Sequence, residues 1–385
     1  MKIAYLYGLH AFPPKGGNHV HAYELTQGFI KAGHEVLVLN DPTMPGSINY
    51  DGGTPGAVER FVGDCDVLYV RVDARYLSDW PEVKQCVEGA GKKPVIWEVN
   101  APANETLAFS WLGGRRAGIK ESPWKAFKRW LHATRKIPGI LKEERLRRSI
   151  ARNVDAAICV SSALGRYASE ALNIPEVLVL PNGGPLISVE EIEKRRAKRI
   201  NQQFTVFYSG SAIYPWQGLD FLAGAIKLAE KSAPDIRFVL AVNQVTDALP
   251  TGANVEVREK LNREQILDAI CTADACVALH PEYSWSKWGF HGSPMKMFEY
   301  MGCMSPVIAS DRGQMADLIT HGDNGLLCSD APDSILNELL FLKENGAKSK
   351  AIGASGRQWI VNGHCWQDNA DLTLELFSKL KTRCV

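Results

Sequence analysis

The chain has 385 residues, 45% hydrophobic and 23% charged, with 44 Lys and Arg against 43 Asp and Glu. That is room for two full cores in an ordinary globular composition, and the near-zero net charge excludes a general nucleic-acid binder. The nine cysteines are scattered, with neither Cys-x-x-Cys nor Cys/His zinc spacing, which points to reduced thiols in a cytoplasmic protein rather than to a disulfide frame or a zinc site.

In chain order, the first half offers short apolar runs at Ile3–Tyr7, Glu35–Leu39, Val67–Val72, Pro94–Val99, Ala156–Val160 and Val177–Leu180. The chain opens on the first of these and not on the basic-then-apolar pattern of a secretory leader. Helical patterns separate the runs, which predicts a buried parallel sheet. After the first run, His10 to Asn18 carries Gly16-Gly17 directly before a helix that contains His21 and closes at Gly33-His34. Paired glycines at a helix start let the backbone approach a ligand. The same residues also fit a plain strand-to-helix turn, and His21 also fits a packing role. Glu98-Val99-Asn100 ends a later strand, where polar groups face the crevice of a parallel sheet. Asn100 is the first candidate there and Glu98 the second.

From Trp111 to Asn153 the chain carries thirteen Lys and Arg against three Glu, interleaved with Trp111, Trp124, Phe127 and Trp130. Basic residues among aromatics suit an anionic lipid surface. They equally suit a solvated helical face over the first sheet. No run of 18 apolar residues exists to span a bilayer. Pro181-Asn182-Gly183-Gly184-Pro185 is a turn cluster that separates the halves.

The second half repeats the alternation, with runs at Thr205–Ser209, Arg237–Val242, Val255–Val257, Ala275–Leu279, Pro306–Ala309 and Gly325–Cys328. Two such series in tandem predict two doubly wound α/β domains. The expected boundaries are residues 1–184, 185–365 and a last helical segment, 366–385. Near the end, Gly292-Ser293-Pro294 opens an apolar helix that carries Lys296 and Glu299, followed by a strand at Pro306. This places free backbone N–H groups and a positive helix end at a loop mouth, a setting for an anion such as a diphosphate. It also fits an ordinary αβ unit.

Ser293-Pro294-x-Lys296-x-Phe298-Glu299-Tyr300-Met301, Pro306-Val307-Ile308-Ala309-Ser310-Asp311 and Gly322-Asp323-Asn324-Gly325 together resemble the donor segment of family 4 retaining glycosyltransferases. Gly16-Gly17, Asn182-Gly183 and the loop Gly210 to Asp220 extend the resemblance along most of the chain. It implies the GT-B fold, in which two Rossmann-like domains face a central cleft and a last helix returns to the first domain. It implies a donor nucleotide-sugar and, as acceptor, a glycan, lipid-linked or free, in cell-surface polysaccharide synthesis. It also implies metal-independent chemistry with no cofactor, by front-side attack in which the leaving phosphate takes the acceptor proton.

By the same resemblance, Gly16 and Gly17 line the cleft, and Arg258 and Lys260 pack the base. Ser211, Gly292, Ser293, Pro294 and Met295 cradle the diphosphate, and Glu299 holds the ribose. His291, Asn100 and His21 are the catalytic candidates. Two departures stand out. Gln217 replaces the lysine that usually neutralises the diphosphate, so Lys296 is the expected substitute. His291 replaces a glutamate eight residues before Glu299. These departures keep open a non-catalytic nucleotide-sugar binder of the same fold, and a nucleotide-sugar epimerase is the other alternative. The basic segment adds an anionic membrane surface as a partner, with the protein peripheral at the inner face. Nucleic acid is not an expected partner, and the sequence names neither the sugar, the base nor the oligomeric state.

Overall fold

A computed structural model describes residues 1–14, 16–103, 122–246, 249–281 and 287–383. The first sheet contains β1 (Lys2–Leu6), β2 (Glu35–Leu39), β3 (Ile48–Tyr50), β4 (Val67–Val72), β5 (Val95–Val99), β6 (Ala156–Cys159) and β7 (Glu176–Val179), in spatial order β3-β2-β1-β4-β5-β6-β7. The second contains β8 (Thr205–Gly210), β9 (Arg237–Val242), β10 (Val255–Glu259), β11 (Ala275–Ala278), β12 (Val307–Ser310) and β13 (Leu326–Cys328), in order β10-β9-β8-β11-β12-β13. Pairing is parallel throughout; Ile3, for instance, stands opposite Val36 on one side and Val67 on the other.

The central strands are apolar without alternation because helices cover both faces. β4 and β5 are buried along their whole length. Each fully buried Val, Leu or Ile contributes about 1.5–3 kcal/mol relative to exposure. The predicted two-sheet GT-B architecture is therefore the observed one. The sequence reading missed β3, an edge strand of three residues that are mostly exposed. It is too short to show a periodicity.

The last helix, Trp366–Arg383, lies along the helix Gly17–Lys31 of the first domain. Gly28 makes that approach possible, since a Cβ there would come within 2.5 Å of Ala370 Cβ. Phe377 packs on Phe29 and Tyr69 in the same layer. Gly183 has equally little room: a Cβ would meet the Trp366 backbone nitrogen at 2.6 Å. Beside it, Gly184 and Cys365 pair as an isolated bridge, so the two chain crossings between the domains run side by side.

A third connection is made by side chains. Trp288, from the second half, is buried in the core of the first. Its ring meets Tyr167 edge-on with centres 5.6 Å apart, and its carbonyl accepts from Arg166 Nη2 at 3.3 Å.

The helix Pro123–Ala151 has two different halves. Its C-terminal half is fixed by a buried pair, Glu143 and Arg147 (Nε to Oε1 3.0 Å). Arg147 also donates to the carbonyls of Ala101, Asp73 and Arg75 at 2.6–3.1 Å, and Glu143 accepts from the Leu77 N–H at 2.7 Å. On the N-terminal half, Trp124, Phe127 and Trp130 are exposed and stacked, with successive ring centres 6.0 Å apart. Residues 111–121 of the basic segment lie outside the described residues. No described helix is long and apolar enough to cross a membrane.

Candidate active site

A doubly wound sheet opens a crevice where its strand order reverses, because the loops leaving two neighbouring strands run to opposite faces. In the first sheet this point lies between β1 and β4, and in the second between β8 and β11. Both crevices open onto one cavity of about 1270 Å³ between the domains.

The first-domain wall rests on a buried carboxylate. Glu98, on β5, is fully buried. It accepts from Tyr5 Oη at 2.6 Å, from Arg71 Nη1 at 2.8 Å and from Asn100 Nδ2, and it lies 2.9 Å from His21 Nε2. Burial would push the Glu98 carboxyl up, but His21 and Arg71 hold it well below the ordinary range. Glu98 does not line the cavity; Arg71, Asn100 and His21 do. Asn18 is aligned in turn, accepting from Arg71 Nη2 at 3.2 Å.

Two helix starts face each other across the cavity. The helix Gly17–Lys31 begins after Gly16, and the helix Met295–Gly302 begins after Pro294. Neither has a side-chain cap or an acidic residue in its first turn. A Cβ on Gly17 would sit 3.2 Å from Met295 Sδ, so the loops nearly touch. Uncapped N–H groups and two converging positive helix ends make an anion site.

Lys296 is buried beneath that site. Its Nζ donates to Gln217 Oε1 at 2.5 Å and lies 4.5 Å over the Tyr208 ring. Burial pushes its pKa down to about 7, against the pull of Glu299. The cation expected in place of the absent loop lysine thus stands on the very residue that replaces it. Glu299 is pushed up by burial and pulled back by Arg263, whose Nη1 is 3.3 Å from Oε1. His280, at the end of β11, packs on Phe290 with ring centres 5.0 Å apart. Burial, with Lys296 beside it, holds His280 well below the usual histidine range and therefore neutral.

The joint between the halves sets the loop that leads into the helix Met295–Gly302. Asn182 N–H donates to Ser293 Oγ at 3.0 Å, and Asn182 Nδ2 donates to the Ser293 carbonyl at 2.7 Å. The other face of Asn182 meets His21 Nδ1 at 2.7 Å. Ser161 Oγ holds the His291 carbonyl at 2.7 Å.

Of the residues expected from sequence, Gly16, Gly17, His21, Asn100, Ser211, Gln217, Lys260, His291, Gly292, Ser293, Pro294, Met295, Lys296 and Glu299 all line this cavity. Arg258 does not; its Nε donates to Glu256 at 2.6 Å along β10. Arg71, His280 and Arg263 also line it and were not anticipated. Their strands and helices were recognisable, but nothing local marks which side chain turns inward. The chain contains one Asp-x-Asp triplet, Asp64-Cys65-Asp66, where the sequence reading counted none. It lies at the opposite end of the sheet, where Asp64 accepts from Tyr50 Oη at 2.6 Å and Asp66 pairs with Lys381 at 2.7 Å. Among the described residues no group of three or more His, Cys, Asp or Glu is placed to hold a metal ion.

Comparison with known proteins agrees with this geometry. Residues 16–183 match the family model "Glycosyl transferase 4-like domain", and residues 203–345 match "Glycosyl transferases group 1". A chitobiosyldiphosphodolichol beta-mannosyltransferase from Debaryomyces hansenii is 26% identical over 150 residues, which is 35% of this chain and 31% of the relative. The chain spans less than two thirds of the length of the curated relatives it matches. Among solved structures, Anabaena HepE in complex with UDP and glucose superposes with a TM-score of 0.66 at 15% identity, over 98% of this chain and 100% of that one. A sucrose-phosphate synthase from Thermosynechococcus elongatus gives 0.67 at 15% identity, over 99% of each. The two family models fall one on each half and together take in most of the chain, and the chain belongs to the family 4 glycosyltransferases of the GT-B fold.

Proposed function

We propose that the protein transfers a sugar, with retention, from a nucleoside-diphosphate sugar to a glycan acceptor, in cell-surface polysaccharide synthesis. The observation that carries this reading is the pair of uncapped helix starts facing each other over one cavity, with Lys296 and Glu299 on the second helix. The diphosphate lies on the N–H groups of both helix starts, with Lys296 beneath it, and Glu299 takes the ribose hydroxyls. Preorganised donors of this kind stabilise charge that develops on the leaving diphosphate, and in a water-poor site each is worth several-fold more than in bulk water. Asn100 and His21, from the first domain, face the acceptor, and His291, in the loop before the second helix start, faces the transferred sugar. The leaving phosphate takes the acceptor's proton, so neither a side-chain nucleophile nor a metal is invoked.

UDP is the first donor nucleotide to test, because Anabaena HepE is known in complex with UDP and glucose; GDP and ADP follow. A lipid-linked acceptor is supported by the name of the Debaryomyces relative, which refers to a dolichol-linked diphosphate. The exposed aromatic, basic half of the helix Pro123–Ala151 further supports docking on an anionic membrane face.

The reading is tested by thermal shift with UDP, GDP and ADP, followed by analysis of the product's anomeric configuration. A ligand at a hundred times its Kd raises stability by about 2.7 kcal/mol through mass action. Failure of all three to shift the melting point would overturn the donor assignment, and an inverted product would overturn retention. Binding without turnover would favour a non-catalytic binder, and release of free sugar and nucleotide with no acceptor present would favour an epimerase.

A further inference from the structure

Glu299 sits on the helix Met295–Gly302 with its side chain 19% exposed. Arg263 opens the helix Arg263–Thr272 that follows β10. Its Nη1 lies 3.3 Å from Glu299 Oε1, and its Nη2 lies 3.6 Å from Oε1 of Glu24. Glu24 belongs to the helix Gly17–Lys31 in the other domain. One guanidinium therefore stands between two carboxylates, one from each side of the cleft.

The other titratable groups near Glu299 do not take over this task. Lys296, on the same helix, is turned to Gln217 and the Tyr208 ring. The thiol of Cys303, one turn further on, is buried and its pKa is raised. Burial pushes both Glu24 and Glu299 up, Glu299 adds to the rise of Glu24, and Arg263 opposes the rise in both.

We propose that Arg263 is a positioning residue that keeps Glu299 ionised and aimed at the donor ribose, using Glu24 of the opposite domain as its second anchor. The inference rests on the reading that Glu299 takes the ribose. Without the guanidinium, two partly desolvated carboxylates share one site, and one of them takes a proton. A protonated Glu299 loses half its acceptor capacity, and the apparent affinity falls with the ionised fraction.

The test uses the full chain. Carbon-13 NMR follows the Glu299 carboxyl through its titration, which requires no ligand. Calorimetry measures UDP, with GDP and ADP in parallel, between about pH 5.5 and 8. In Arg263→Met the Glu299 titration moves upward, and the loss of affinity deepens about tenfold for each pH unit below the new midpoint. Adding Glu24→Gln to Arg263→Met restores part of the loss, because one of the two competing charges is gone. Arg263→Lys keeps the titration near that of the wild type and supplies a folded control. An unchanged Glu299 titration in Arg263→Met, or a loss of affinity equal at every pH, overturns the proposal. Glu299→Gln separates it from its parent. Wild-type binding by Glu299→Gln defeats the ribose assignment itself. Weak binding by Glu299→Gln, with wild-type behaviour of Arg263→Met, defeats Arg263 alone.

Discussion

Lys296 is a lysine without a carboxylate partner within ion-pair distance among the described residues, buried on a glutamine oxygen and an aromatic face. In the free protein that burial holds its pKa down to about 7. A diphosphate placed against it raises the value again, because an opposite charge favours the ammonium. Between the two values the complex holds more protons than the free protein. Binding then takes up a proton, and affinity falls as pH rises above about 7. Calorimetry in two buffers of different ionisation enthalpy reads that uptake directly, and its absence at about pH 8 would move the diphosphate elsewhere. Lys296→Ala should cost UDP about 1.5–3 kcal/mol, the usual value of a charged hydrogen bond, and cost uridine little; equal losses would mean that the lysine is no phosphate contact. This residue was legible in the sequence because Gln217 left a gap that a nearby cation had to fill. Arg263 was not. Its partners lie 36 residues ahead and far back in the first helix, and only the closed cleft brings them together.

At the scale of the element, the helix Pro123–Ala151 shows what charge counting finds and what it misses. The basic excess and the tryptophans were plain in the sequence. What was hidden is that Glu143 and Arg147, which read as two more surface charges, are the buried bolt that holds the helix to the first sheet. The bolt fixes one half and leaves Trp124, Phe127 and Trp130 projecting from the other, with Lys128 folded over the Trp124 ring at 5.1 Å. We expect anionic liposomes to bind this half at low salt. Each basic residue near such a surface contributes about 1 kcal/mol, within a Debye length. Reversing Lys128 and Arg135 to glutamate should abolish co-sedimentation and leave UDP binding unchanged. Wild-type protein that ignores such liposomes would make this face a solvated one and favour a soluble acceptor.

At the scale of the molecule, two doubly wound domains in tandem could be read from continuous apolar runs separated by helical patterns. The way the halves are fastened could not. Trp288 comes from the second half, yet it belongs energetically to the first domain. Trp288→Ala should remove about 3–5 kcal/mol of packing at the seam between the domains. The expected outcome is a larger radius of gyration by small-angle scattering and a lower turnover with the donor at saturation, since the same loop carries His291 and the cavity-lining residues Gly292 to Met295. Unchanged scattering, with a lowered melting point, would mean that the tryptophan only fills space.

The two strands that pass between the domains at Gly184 and Cys365 run side by side and bond to each other. A single linker lets one body swivel freely about the other. Two adjacent linkers behave like the knuckles of a door, leaving one easy rotation and resisting twist and slide. With Gly183 jammed against the Trp366 backbone, the axis of that rotation is defined to within a residue or two. Trp288, buried in the core of the first domain, is a further point at which the halves are fastened. Any rotation of one domain against the other would therefore have a predetermined axis, and Arg263, which meets Glu24 and Glu299 across the cleft, would be parted from one of them by it.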